Sequence, residues 1–142
     1  MTPAGAAPDA RVSAWIACWA DVPDDAMSSK AGHVLIPGGR WMLERLVPFL
    51  ESRDARFTGI GFEYCGYWWV RVAHGARAFR LFVYYLEGVG NVRVVWRRSL
   101  WAWLTRRDSS AEVSALAELI IEALRAEPRV RRVTRSPSYV DA

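Results

Sequence analysis

Three closely spaced strand-like runs between Tyr67 and Arg97 constrain this chain more than any other feature. They are Tyr67-Trp68-Trp69-Val70-Arg71-Val72, Phe79-Arg80-Leu81-Phe82-Val83-Tyr84-Tyr85 and Val92-Arg93-Val94-Val95-Trp96-Arg97. A sheet with one buried and one wet face alternates apolar and polar residues. Here one face reads Trp68, Val70, Val72, Leu81, Val83, Val92, Val94 and Trp96, a plain core face. The other interleaves Trp69, Phe82, Tyr84 and Val95 with Arg71, Arg80, Arg93 and Arg97. A face that is neither core-like nor evenly polar is usually kept to meet something.

The punctuation around these runs sets their connection. His74-Gly75 and Glu87-Gly88-Val89-Gly90-Asn91 are hairpin-type turn signals, so the strands are expected to form an antiparallel meander. Upstream, Trp41 to Arg53 has helical spacing, with Trp41, Leu43, Leu46, Val47 and Leu50 on one side and Pro48 predicting a kink or a late start. Downstream, Ser109-Ser110-Ala111-Glu112 reads as a capping box. Behind it, Val113, Leu116, Ala117, Ile120 and Leu124 share one helical face, and Pro128 ends the run.

Arg56–Phe62 reads as a short strand broken by Gly59 and Gly61, and Arg129–Val133 as a last edge strand guarded by basic residues. The period of Val12–Trp19 does not decide between helix and strand. The expected architecture is α+β and two-layer: an antiparallel β-meander of three to five strands with two helices packed on one face. Residues 1–10 read as a disordered tail and 11–142 as a single domain.

Composition narrows the class. At 52% hydrophobic and 13% aromatic residues the chain is not intrinsically disordered. The net charge of +4 is unevenly spread. Residues 67–107 hold eight arginines against the single acid Glu87, while acids gather at Asp21, Asp24 and Asp25 and along the late helix at Glu112, Glu118, Glu122 and Glu127. Such a dipolar surface suits steering of a partner better than coating of nucleic acid. No run approaches the roughly 20 apolar residues of a transmembrane helix, and Ala14–Ala20 is too short for a signal peptide. A soluble cytoplasmic protein without a membrane partner is expected. Cys18 and Cys65 are too few for a disulfide framework and read as small buried hydrophobes in a reducing compartment.

No catalytic set assembles. His33 and His74 lie in loop and turn signals with no second ligand at metal spacing, so neither metal nor cofactor is expected. Cys65 lacks a paired base. Glu63 lacks the second acid of a carboxylate pair and is expected to cap, to pair with an arginine or to touch a partner. Pro37-Gly38-Gly39-Arg40 lacks a nucleotide-loop pattern and reads as the turn that starts a helix. Arg97–Arg107, basic at both ends and Trp/Leu-rich between, reads as a plug over one end of the sheet rather than a membrane-surface segment.

The second sheet face therefore carries the functional expectation. Trp and Arg are frequent anchors of protein interfaces, which singles out Trp69, Arg71, Arg80, Tyr84 and Arg93, with Glu63 at the rim. Aromatics that stack bases beside arginines that hold phosphate would equally suit RNA or single-stranded DNA, although Gly66–Val72 does not match the glycine-aromatic RNP1 pattern. A third reading has the N-terminal segment with Trp15, Ile16 and Trp19 covering this face, and a homodimer through the face or an exposed sheet edge is a fourth.

The order of a helix, Glu63-Tyr64-Cys65-Gly66-Tyr67-Trp68, an aromatic meander, Ser99-Leu100 to Leu104, and a last helix ending Ala126-Glu127-Pro128-Arg129-Val130 resembles small bacterial immunity proteins of contact-dependent inhibition and other polymorphic toxin systems. The resemblance covers about Trp41 to Val133. It implies a cytoplasmic, non-catalytic protein that binds one toxin domain and blocks its active site or its access to substrate. Immunity proteins against nucleases are commonly acidic, whereas this chain is basic. The resemblance therefore implies one of three things: a toxin that is not a nuclease, a contact through the acidic clusters, or binding away from the active site.

Overall fold

The computed structural model describes residues 13–63, 66–96 and 110–141. Among the described residues, eight strands and two helices follow in the order β1 (Ser13–Ala20), β2 (Met27–Ser28), β3 (Val34–Ile36), α1 (Arg40–Glu51), β4 (Arg56–Glu63), β5 (Tyr67–His74), β6 (Arg77–Leu86), β7 (Val89–Trp96), α2 (Ser110–Arg125) and β8 (Val130–Ser136). Six strands form one antiparallel sheet in the order β4-β5-β6-β7-β1-β8, and β2 and β3 pair as a separate small hairpin. The fold is two-layer α+β, with a wider sheet than the expected three to five strands.

The extra width comes from β1. Instead of lying across the second face, it enters the sheet between β7 and β8. An inner strand of this kind is apolar on both sides, which is why its sequence shows no decisive period. Ile16 and Cys18 point into the core, while Trp15 and Trp19 lie on the opposite face beside Arg93 and Arg132.

The meander has tight turns. Gly75 and Ala76 link β5 to β6, with Gly75 at φ 60°. Glu87 and Gly88 link β6 to β7, both at positive φ (52° and 83°), as a two-residue hairpin turn whose twist matches its strands. The turn signal at 87–91 therefore extends too far. Gly90 and Asn91 belong to β7, paired with Cys18 and Ala17.

Both helices share the core with one sheet face. Met42, Leu46 and Leu50 of α1 and Leu116, Ile120 and Leu124 of α2 are completely buried with Val70, Leu81, Val83 and Val92. Burial of each such side chain contributes about 1.5–3 kcal/mol. α2 lies over β1, β7 and β8, and α1 leans toward β4.

The Pro37-Gly38-Gly39-Arg40 turn does start α1, and its amides are already engaged. The Asp25 carboxylate accepts from the backbone N–H groups of Gly39 (2.8 Å) and Trp41 (3.0 Å), an acid reaching the helix N-terminus from an earlier loop. Gly39 adopts a φ of 107° that favours glycine. Pro48 is accommodated within α1. The capping residue Ser109, the Arg97–Arg107 plug, Cys65 and the 1–10 tail lie outside the described residues.

Candidate functional site: an arginine and aromatic sheet face

Antiparallel register converts sequence positions into rows across the second face. Gly61, Trp69, Phe82, Arg93 and Trp15 stand side by side across five strands, β4 to β1. One residue pair along, Gly59, Arg71, Arg80 and Val95 form the next row. On the other side, Glu63 is opposite Tyr67, and Tyr84 is opposite Asn91, which is opposite Ala17. The structure thus brings Trp69, Arg71, Arg80, Tyr84 and Arg93 onto one face, with Glu63 at its β4 rim. At the usual strand spacing, the span from Trp69 to Trp15 is about 14 Å.

Close packing along the rows is aromatic. Tyr67 meets Phe82 with ring centroids 5.6 Å apart and Tyr84 at 5.3 Å, and Tyr84 meets Trp15 at 5.9 Å. The Arg71 guanidinium lies 5.4 Å from the Trp69 ring centre, and that of Arg93 lies 5.5 Å from Trp15. Arg132 repeats the arrangement over Trp19 at 4.6 Å. These cation–π contacts hold the side chains over rings without neutralising their charge.

Glycine makes room for one of the rings. A Cβ at Gly61 would stand 2.4 Å from Trp69 Cζ2, so the indole lies flat on the bare backbone of edge strand β4. This is a known way to protect a glycine at a sheet edge.

The electrostatics are one-sided. Arg71 and Arg80 are directly opposite on neighbouring strands, an arrangement that like charge disfavours. They border a shallow cleft of 220 Å³ with Thr58 and Phe79. Among the described residues, no ion pair involves Arg71, Arg80, Arg93 or Glu63; Glu63 contributes only a backbone carbonyl, which accepts from the Gly66 N–H. The expectation that Glu63 caps or pairs with an arginine is thus corrected.

The acids considered as a second contact surface are mostly engaged within the chain. Asp25 caps α1, Asp21 pairs with Arg131 (3.4 Å), Glu112 with Arg77 (3.8 Å), Glu118 with Arg135 (3.7 Å) and Glu122 with Arg53 (2.8 Å). Glu127 is nearly buried between Arg129 (2.9 Å) and Arg45 (3.9 Å). The hydrogen bond from Arg129 holds its carboxyl below the usual carboxylate range.

Two residues that the sequence did not mark complete the face. Asn91 is fully buried in its middle, and its side-chain amide exchanges two hydrogen bonds with the backbone of Val140: Nδ2 donates to the Val140 carbonyl (2.9 Å) and Oδ1 accepts from the Val140 N–H (2.9 Å). Tyr139 stands edge-on to Trp15 (6.0 Å, 87°) and to Tyr84 (5.5 Å, 83°). Burial raises its phenol pKa, with Asp141 adding to the shift. Among the described residues, 137–141, after β8, cross the second face, whereas Trp15, Ile16 and Trp19 belong to β1 within the sheet. No sequence motif marks it. A Ser-Pro-Ser step after a basic strand reads only as a strand stop.

Among the described residues, no three His, Cys, Asp or Glu side chains cluster as a metal site. Cys18 is completely buried in the core, and burial pushes its thiol pKa up to about 12. No helix among the described residues is long and apolar enough to cross a membrane. A separate, mostly apolar groove of 640 Å³ runs between α1 and β4, lined by Leu43, Val47, Ile60, Phe62 and Trp68. Comparison of the chain with protein-family models, with curated proteins and with solved structures gave no match.

Proposed function

We propose that this protein is a binding module, an immunity protein that neutralises a bacterial toxin domain by docking it on the arginine and aromatic face. The observation that carries the reading is the continuous Trp69–Phe82–Arg93–Trp15 row, flanked by the Arg71–Arg80 pair. Tryptophan, tyrosine and arginine are enriched among the hot spots of protein interfaces, which cluster near the centre of the contact inside a ring of near-neutral contacts that exclude water. The arginines call for an acidic partner surface. The toxin-domain identity of that partner rests on the resemblance carried by Glu63–Trp68 and Ala126–Val130. With Asp25, Glu112, Glu118 and Glu122 occupied within the chain, the basic face is the better candidate than the acidic clusters.

The test is capture of a partner from native lysate by the tagged chain, repeated with Trp69→Ala/Arg80→Ala, with toxicity measured for any neighbour-encoded toxin domain recovered. Loss of capture and of neutralisation in the double variant supports the reading. Unchanged affinity places the interface elsewhere.

A second reading keeps the same face but gives it RNA or single-stranded DNA, because the unneutralised Arg71–Arg80 pair sits beside stackable rings. That reading requires affinity that falls steeply with salt, and no binding of a mixed oligonucleotide at low ionic strength removes it.

A further inference from the structure

A buried asparagine in the middle of a sheet face has to find partners or lose stability. Asn91 stands between Tyr84 and Ala17 in register, on a row that offers its amide no side-chain partner among the described residues. Both of its hydrogen bonds go instead to the backbone of one residue, the N–H and C=O of Val140. Two residues of an antiparallel ladder exchange the same pair of bonds. Asn91 thus reads a backbone, and reads it without regard to side chain. The side chain is read one residue earlier, where the Trp15 and Tyr84 rings flank Tyr139 edge-on.

The seated segment is lightly held. None of residues 137–141 belongs to a strand, and Tyr139 keeps 37% of its surface exposed. Beside it opens a cleft of 450 Å³, lined by Tyr84, Leu86, Val34, Pro37 and Tyr139. Leu86 is more than half exposed there.

From these observations we infer that Asn91, Trp15 and Tyr84 form a peptide clasp. Its ligand is an extended segment of a partner protein, carrying an aromatic residue followed by an aliphatic one, and residues 137–141 occupy the clasp as an internal competitor. The aromatic side chain of the partner segment takes the place of Tyr139, the backbone N–H and C=O of its next residue take both bonds of Asn91, and the chain continues into the cleft by Leu86. A tethered segment competes at an effective concentration of about millimolar, so a partner displaces it only by adding contacts beyond the clasp. The clasp uses the face assigned above to a toxin domain, yet it stands or falls with a synthetic peptide, whatever the natural partner is.

The probe is the acetylated, amidated peptide Ser-Pro-Ser-Tyr-Val-Asp, titrated into isotope-labelled full chain and followed by NMR. With Tyr139→Ala, which empties the aromatic seat, saturable shifts are expected at the Asn91 side-chain amide and the Trp15 indole. Binding to the wild-type chain is expected to be at least about tenfold weaker. Binding is expected to vanish for the peptide N-methylated at its valine and for the Asn91→Leu/Tyr139→Ala chain. Equal shifts with Asn91→Leu, or none in a folded Tyr139→Ala chain, would overturn the clasp. Hydrogen exchange in the wild-type chain gives an answer that needs no variant. A displaceable segment requires the Val140 N–H to exchange at least about a hundredfold faster than the amides of Ile16 and Val92. Exchange at the rate of those core amides would mean a permanent part of the fold and would sink the proposal.

Discussion

Replacing Gly90 by alanine tests how tightly the sheet and α1 close on each other. Gly90 lies on the core face of β7, opposite Cys18 of β1 and beneath Met42 of α1. Its φ lies outside the left-handed region, so alanine meets no backbone strain. By itself, loss of unfolded-state freedom would stabilise the variant by about 0.4–1 kcal/mol. Packing decides the sign the other way. The new Cβ would stand 2.7 Å from Cys18 Sγ and 2.9 Å from both Met42 Sδ and Met42 Cε. Ordinary carbon and sulfur contacts begin near 3.5 Å, so both side chains must give by more than half an ångström. Both are completely buried. Overpacking of this kind costs about 1–3 kcal/mol, leaving a net loss centred on about 1.3 kcal/mol within a range of about 0–2.6 kcal/mol. The assay is urea unfolding, with the loss read as a lower midpoint at unchanged slope. Cys18→Ala removes the nearest atom, so Cys18→Ala/Gly90→Ala should be more stable than the two single losses added, with a coupling of about 0.5 kcal/mol or more. An unchanged midpoint for Gly90→Ala, or strict additivity in the cycle, would refute this packing argument.

Other consequences follow from the same geometry. Gly61→Ala makes a closer contact, 2.4 Å, but with the indole of Trp69, which is only partly buried and can swing outward. It should therefore leave the urea midpoint within about 1 kcal/mol of wild type while weakening partner capture, because the Trp69 ring is displaced from the face. In a Cys65→Ser chain, Cys18 should react with a thiol reagent only as fast as the core opens, because it is buried and its thiol pKa is pushed up to about 12. Rapid labelling under native conditions would contradict its placement. Glu127 has its carboxyl pKa lowered on folding, chiefly by the Arg129 hydrogen bond. Its contribution is therefore present above the ordinary carboxylate pKa of about 4.3 and is lost as pH falls through the lowered folded value. The stability gap between wild type and Glu127→Gln should be widest near neutral pH and close in acid, as followed by urea midpoints across pH.

The sheet was legible because its faces differ in kind. In β5, β6 and β7 the alternation assigned Val70, Leu81 and Val94 to the core and Trp69, Arg80 and Arg93 to the other face, as the register confirms. Both helices were legible from their apolar stripes. The N-terminal strand was not: an inner strand with Ile16 and Cys18 on one side and Trp15 and Trp19 on the other carries no period. Asn91 was hidden by its neighbours, since Glu-Gly-Val-Gly-Asn has the composition of a long turn although only Glu87 and Gly88 form it. The internal engagement of the acids depends on contacts far apart in sequence, such as Arg53 with Glu122 and Asp25 with the start of α1. The crossing of the face by Tyr139 and Val140 is likewise a tertiary choice. A short polar tail gives no pattern from which to read it.

Affinity for a captured toxin domain, measured by calorimetry for wild type and for Trp69→Ala/Arg80→Ala, tests the functional reading most directly. A stoichiometric complex weakened at least about a hundredfold by the double variant, with neutralisation lost in parallel, is the expected result. A complex of unchanged affinity, or capture of nucleic acid that salt releases, would contradict it.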